Sequence, residues 1–297
     1  MEYYFIATEE DAGKRIDFFL AEKIKKDGYS RSFLQQIMLN KGVLLNNQPV
    51  KPHHKIKIRD AVKVDIPKLE PSQINPEALS LNIIYEDDDI LVIDKPSGLV
   101  VHPAAGNESG TLVNALLAYT RNLSSVSPRR PGIVHRLDKE TSGVMVVAKN
   151  NAAHLNLVKQ FSAHTIKRVY TALASASLEF DEGVIDLPIG RHKKNFRLQS
   201  VNFLHSRRAV THYKVLKRFA NATLLELTPE TGRTHQLRVH LAYLGHPILG
   251  DAKYGKKYDF ARLALHAREL GFLHPKKSQF VSFHADLPAE FTKFIMH

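Results

Sequence analysis

The chain has 297 residues, with 42 lysines and arginines against 30 acidic residues and a formal net charge of +12. That balance points to a polyanionic partner, because each cation that neutralises a phosphate releases counterions; an anionic membrane surface would attract the protein too. No apolar run approaches the roughly 20 residues of a membrane span, and Met1-Glu2-Tyr3-Tyr4-Phe5 does not read as a signal peptide. The absence of cysteine excludes disulfides, a thiolate nucleophile and a Cys-based zinc site. The expectation is a cytoplasmic protein that meets nucleic acid, with apolar content for one substantial domain and a small one.

Residues 1–67 read as the small domain. Ile16, Phe19 and Leu20, then Phe33, Leu34, Ile37 and Met38, fall at helical spacing. Ser30 or Ser32 can cap the second helix, and Gly42 sits where a left-handed residue would end it. Val43-Leu44-Leu45, Asn46-Asn47 and Gln48-Pro49-Val50 predict a short hairpin. Ile56, Ile58, Val62, Val64 and Ile66 alternate as a strand pair around Arg59-Asp60. This order, with Ser30-Arg31-Ser32 opening the second helix, resembles an S4 RNA-binding domain. The resemblance implies a basic face that includes Lys14, Arg15, Arg31, Lys41, Lys51, Lys55 and Lys57. Phe33 stands where that pattern is often basic, and Arg59-Asp60 replaces its glycine-aspartate turn.

Residues 68–80, punctuated by Pro71 and Pro76, read as a semi-rigid linker, and 81–297 as the larger domain. Ile83-Ile84-Tyr85 and Ile90-Leu91-Val92-Ile93 predict a hairpin with the acidic turn Glu86-Asp87-Asp88-Asp89. Gly110-Thr111 starts an amphipathic helix through Tyr119, and another covers Ala152 to His164. Between them, Pro131-Gly132 breaks the chain, and Val144 to Ala148 reads as a buried strand. A loop held against such a strand is a good place to fix a reacting side chain. That loop reads Gly132-Ile133-Val134-His135-Arg136-Leu137-Asp138-Lys139-Glu140-Thr141-Ser142-Gly143.

This string resembles the catalytic signature of the RluA-type pseudouridine synthases, RNA-modifying enzymes whose essential residue is the aspartate of H-R-L-D; the resemblance makes Asp138 catalytic. It implies that Arg136 occupies the space a flipped uridine vacates and that His135 orients the loop. Lys95-Pro96-Ser97-Gly98-Leu99-Val100-Val101-His102-Pro103 matches the family's first motif, with Pro96 and Gly98 setting a turn under the catalytic loop. Tyr170, in the strand-like run Lys167 to Leu173, reads on composition as a core tyrosine; in the family this tyrosine stacks on the target base and assists proton removal. Thr231 to Leu241 alternates, with Leu237, Val239 and Leu241 on one side and Gln236, Arg238 and His240 on the other. Arg238 matches the basic residue that pairs with the aspartate, with Arg233 as its rival. Leu265 matches an apolar contact to the base.

One RNA-binding signal needs no family. From Arg191 to Arg218 the chain has no acidic residue, carries Lys193, Lys194 and Arg197 among its cations, and interleaves Phe196, Phe203 and Tyr213. No Walker A loop, dinucleotide fingerprint, G-x-S-x-G or H-E-x-x-H occurs. His235, His240 and His246 share a region but no metal-ligand spacing.

The resemblance covers nearly the whole chain and implies an α+β fold. Its catalytic domain would have a central mixed, largely antiparallel sheet flanked by helices, beside the small S4-like α/β domain. The implied protein is a monomer that uses neither cofactor nor metal. Pro188 to His192, Ala209 to Tyr213 and the S4-like domain look most like the D-type branch, which modifies 23S ribosomal RNA at the intersubunit stem-loop. Free rRNA or an assembling large subunit is the implied partner. Other rRNA sites, tRNA, and a noncatalytic RNA-binding role in ribosome assembly are the alternatives.

Overall fold

The computed structural model describes residues 1–24, 29, 31–66, 74–104, 106–195, 198–255 and 260–296, apart from the side chain of Ser32. The chain divides into two compact units, Met1–Gln73 and Ile74–His297.

In the first unit, β1 (Glu2–Ile6), β2 (Val43–Leu45), β3 (Gln48–Pro49) and β4 (Ala61–Asp65) form an antiparallel sheet of order β1-β4-β2-β3. Helices α1 (Ile16–Lys23) and α2 (Arg31–Leu39) close over it. Phe19 and Leu20 of α1 and Leu34 and Ile37 of α2 share one core with Val43, Val62 and Val64. Full burial of each such side chain contributes about 2 kcal/mol. The hairpin at Asn46-Asn47 forms as its sequence predicts, both residues being left-handed (φ 50° and 65°).

Two expectations for this unit change. Residues 56–58 form no strand, because Ile56 bonds through its amide and carbonyl to Lys14 and Gly13 ahead of α1. The left-handed residue after α2 is Lys41 (φ 62°), not Gly42. Gly42 is needed for closeness instead: a Cβ there would lie 2.6 Å from Ile37 Cγ2 and 2.9 Å from Asp65 O. The capping expectation falls on Ser30 and the Ser32 side chain, which lie outside the described residues.

The second unit begins at Ile74. Its described residues from 74 to 80, expected as linker, are held by this unit: Asn114 Nδ2 donates to Asn75 O (2.8 Å), and the Gly110 amide donates to the Glu77 carboxylate (3.0 and 3.2 Å). The strands are β5 (Asn82–Glu86), β6 (Ile90–Lys95), β7 (Ser142–Ala148), β8 (Lys167–Ser175) and β9 (Glu182–Asp186). Then come β10 (Ile189–Arg191), β11 (Gln199–Val201), β12 (Val210–Arg218), β13 (Ala222–Pro229), β14 (Leu265–Leu273) and β15 (Phe280–His284). Interspersed are α3 (Leu112–Tyr119), α4 (Asn151–Ser162), α5 (Gln236–Tyr243) and α6 (Ala289–Met296).

A nine-stranded sheet runs β5-β6-β7-β14-β8-β13-β12-β9, with β15 pairing β14; β10 and β11 form a separate hairpin. Its ladders are antiparallel except the short parallel contact of His266 and Ala267 with Ser142 and Gly143. The sheet is thus mixed and largely antiparallel.

Alternate residues of a strand face opposite ways, and β6 and β7 are apolar on both faces. Ile90, Val92, Val144 and Val146 meet Ala153 and Leu157 of α4. Leu91, Ile93, Met145 and Val147 meet Leu112, Val113 and Leu116 of α3. The strand that follows the 132–141 loop is therefore pinned from both sides. Farther across, Leu237 and Leu241 of α5 and Phe291 of α6 pack on Leu173, Leu225 and Leu265. Among the described residues no helix is long and apolar enough to cross a membrane.

Candidate active site

The loop 132–141 is anchored along its whole length. Gly132 and Ala148 bond through the Ala148 amide (2.8 Å), and the Val146 amide donates to His135 Nε2 (3.1 Å). The His135 ring stacks on Phe161 at 4.6 Å. Burial, reinforced by the charge of Arg168, pushes the His135 pKa down to about 3, so the ring is a neutral acceptor for the Val146 amide. From below, the fully buried Lys95 ammonium donates to Pro96 O (2.8 Å), Leu99 O (2.9 Å) and Lys139 O (3.1 Å). Burial pulls its pKa down to about 8 against the raising influence of Asp138 and Glu140. The Gly98 amide also bonds Lys139 O (2.8 Å), so the 95–98 turn lies under the loop.

Asp138, mostly shielded, meets Arg238. Arg238 is 2% exposed and divides its guanidinium: Nε and Nη2 grip Asp251 (2.8 and 2.7 Å), while Nη1 donates to Asp138 Oδ2 (3.2 Å). Glu140 Oε2 stands 3.5 Å from the same Nη1. Burial opposes the charge on Arg238, but Asp251 and Asp138 outweigh it and hold its pKa above the ordinary value. The paired cation keeps a carboxylate oriented in a shielded site. Arg233 takes no part in this pair, donating through Nε to Arg208 O (3.0 Å).

Arg238 reaches Asp138 from a helix, which overturns the strand-like alternation expected for 231–241. Both supposed faces are buried. Gln236 bonds Val210 O and Thr211 Oγ1, and His240 bonds Thr211 Oγ1 and Leu187 O. A helix enclosed all round shows no 3.6-residue pattern.

His135, Asp138, Gln236 and Arg238 line a cavity of about 670 Å³ between the 134–141 loop, α4, β8 and the 229–238 segment. Asp138 is its one carboxylate among the described residues; Arg136, Arg168, Arg233 and Arg238 are its arginines. Tyr170 and Leu265 line it too. Burial raises the Tyr170 pKa, with Arg168 opposing and Asp138 adding to it, so the phenol stays protonated at neutral pH. Arg136 is exposed on the rim. Lys193 and Lys194 lie exposed in the connection between β10 and β11; Arg197 and Phe196 lie outside the described residues. Arg31 and Lys55 belong to the first unit, where Arg31 is bound to the buried Asp17 (Nη2 to Oδ2, 2.9 Å) and lies over the Phe18 ring.

Sequence reasoning missed Asp251, the fully buried second partner of Arg238. The signal was an acid beside glycine after the apolar Ile248-Leu249. It also left Lys95 without a role of its own.

Candidate metal ligands are already engaged. His246 Nδ1 bonds Ser175 O (3.0 Å), and both His240 nitrogens have protein partners. Asp87, Asp89 and His274 cluster on the acidic turn. There, Asp87 Oδ2 already accepts from Tyr85 (2.9 Å) and bonds His274 Nε2 (2.9 Å), forming a hydrogen-bonded knot outside the cavity.

A model of the RNA pseudouridylate synthase family matches residues 89–243. An uncharacterized RNA pseudouridine synthase of Bacillus subtilis is 46% identical over 292 residues, 97% of this chain and 95% of the relative. Ribosomal large subunit pseudouridine synthase D of Zymomonas mobilis is 42% identical, covering 95% of this chain and 93% of its own length. The structure of Human RNA Pseudouridylate Synthase Domain Containing 1 superposes with a TM-score of 0.59 at 27% identity, over 74% of this chain and 87% of that one.

Proposed function

The chain belongs to the RNA pseudouridylate synthase family and is an isomerase that converts uridine to pseudouridine in RNA, and from that premise we propose that it acts on 23S rRNA through Asp138. The observation that carries this reading is one carboxylate, tied to a buried arginine, in a cavity whose other charged lining residues are all arginines.

Pseudouridylation detaches uracil from ribose, rotates it and rejoins it through carbon, with no redox step and no group donor. Asp138 serves as the nucleophile or steadies positive charge at the sugar. The target uridine leaves its stack at a cost of a few kcal/mol. Arg136 fills the space it vacates, Tyr170 stacks on the base and Leu265 supports it. The cations from Arg191 to Arg218 hold the RNA backbone, and residues 1–67 act as an S4-like RNA-binding module. The relative named ribosomal large subunit pseudouridine synthase D supports the choice of substrate; the intersubunit stem-loop is the site we propose within it. The reading includes a cytoplasmic monomer that works without cofactor or metal.

The test is a pseudouridine map of unmodified large-subunit rRNA, pre-ribosomal particles and tRNA after incubation with wild-type protein and with Asp138→Asn. New sites in large-subunit RNA made only by the wild type are expected, with RNA affinity retained by the variant. Sites confined to tRNA would overturn the substrate, and normal turnover by Asp138→Asn would overturn the catalytic assignment. An empty map from folded, RNA-binding protein would favour a noncatalytic assembly role.

A further inference from the structure

A chain of hydrogen bonds runs from the basic hairpin to His235, a second neighbour of Asp138 Oδ2 beside Arg238. The Gln199 backbone N–H, on β11 of the basic hairpin, donates to Tyr254 Oη (2.9 Å). Tyr254 Oη is in turn 2.7 Å from His235 Nδ1. A phenol has one proton to give, and no other acceptor for it occurs among the described residues. With that proton directed at Nδ1, Nδ1 is the acceptor and the imidazole proton sits on Nε2. That Nε2 points into the cavity, 3.9 Å from Asp138 Oδ2.

The backbone supports this placement. His235 precedes α5 in the left-handed region (φ 56°, ψ 22°) and makes no side-chain cap bond. A non-glycine residue there costs about 1 kcal/mol, and in exchange the ring turns away from the helix end toward Asp138. Tyr254 touches both neighbours of the carboxylate: its ring meets His235 edge to face at 5.5 Å, and the Arg238 guanidinium lies 5.4 Å from its centre. Burial, opposed by Asp138 and reinforced by Arg238, lowers the His235 pKa, which favours the neutral ring.

We propose that His235 is a positioning residue whose neutral Nε2–H, set by Tyr254 from the Gln199 amide, closes on Asp138 Oδ2 when uridine fills the cavity. An N–H···O bond of about 2.9 Å requires a movement of roughly 1 Å. Oδ2 is then held by Arg238 and His235 together, and Oδ1 is left as the oxygen that faces the sugar. No proton is transferred: the imidazole donates a hydrogen bond throughout. Because Gln199 lies on the hairpin that carries Lys193 and Lys194, seating RNA there and aiming the carboxylate share one relay. The inference rests on the assignment of Asp138 above.

The experiment combines two readouts on the full chain. Nitrogen-15 NMR of the wild type at neutral pH should show His235 as the Nε2–H tautomer, with Tyr254→Phe shifting it toward a mixture. Kinetics on RNA should show His235→Leu lowering kcat about 100-fold and Tyr254→Phe about 10-fold, each with KM unchanged within about twofold. His235→Gln, which keeps an N–H donor at the same reach, should recover to within about fivefold of wild type. An Nδ1–H tautomer in the wild type overturns the proposal without any variant having to fold. So does wild-type kcat in folded His235→Leu, equal loss in the Gln and Leu variants, or a change confined to KM. Asp138→Asn run alongside separates the levels. If it is inactive while His235→Leu is fully active, only this inference fails; if it is active, the assignment of Asp138 fails as well.

Discussion

Arg238 serves two carboxylates with one guanidinium, and that division defines its chemistry. The two parallel bonds to the fully buried Asp251 use the planar fork that only arginine has; the remaining nitrogen is left for Asp138. Arg238→Lys keeps the charge but cannot make the fork and reach Asp138 together. We expect a loss of about 2 kcal/mol in stability and roughly a 100-fold drop in kcat, read by urea denaturation and single-turnover assays. Activity within twofold of wild type would show that the charge alone suffices. At this scale the sequence was uneven. Asp138 and Arg238 stood in recognisable strings, and the geometry chose Arg238 over Arg233. Asp251 was missed, because an acid beside a glycine marks a turn and its pairing depends on a partner that only folding brings to it.

Among the elements, β7 and β14 meet with almost no space between their backbones. Gly143 has φ 119°, and a Cβ on it would lie 2.1 Å from Ala267 O on the neighbouring strand. Gly143→Ala is expected to lose about 3 kcal/mol or more, a fall in Tm of roughly 6–12 °C for a domain of this size. Gly245→Ala, also at positive φ but with open space around it, should lose only about 1 kcal/mol. Equal melting temperatures for the two would mean that the strands can part to admit a methyl group. The hairpins, α3, α4 and the buried β7 were legible because their apolar spacing follows the pleat or the helical turn. Helix α5 was not, since Gln236, Arg238 and His240 are buried by partners distant in sequence and so imitate the polar face of a strand.

For the molecule as a whole, charge and protonation give two further expectations. Replacing Lys193 and Lys194 with neutral residues should weaken binding across RNAs and reduce the slope of log affinity against log salt by about 1 to 2. An unchanged slope in a salt titration would remove the hairpin from the interface. Stability should also fall on mild acidification. Burial pushes the folded-state pKa of His266 down to about 4 and that of His135 to about 3. Both lie below the ordinary 6.5, so the unfolded chain takes up these protons first. The stabilisation is complete above pH 6.5 and drains away as pH falls toward 4, by several kcal/mol in all. Urea titrations at pH 7.5, 6 and 5 should show the decline, with a flatter course for His266→Gln; parallel courses would contradict it.

The position of β14 also sets the order of events in synthesis. It lies between β7 and β8, although both precede it in the chain. Asp138 sits beside β7, while Tyr170 belongs to β8 and Arg238 to the helix after β13. Until Leu265–Leu273 has left the ribosome, the sheet is two separate halves with bare edges, and the groups that define the cavity stand on different halves. Closing such a long-range pairing is slow. Vectorial folding thus leaves the keystone almost to the end, and a nascent chain holds the parts of its active centre before it has an active centre.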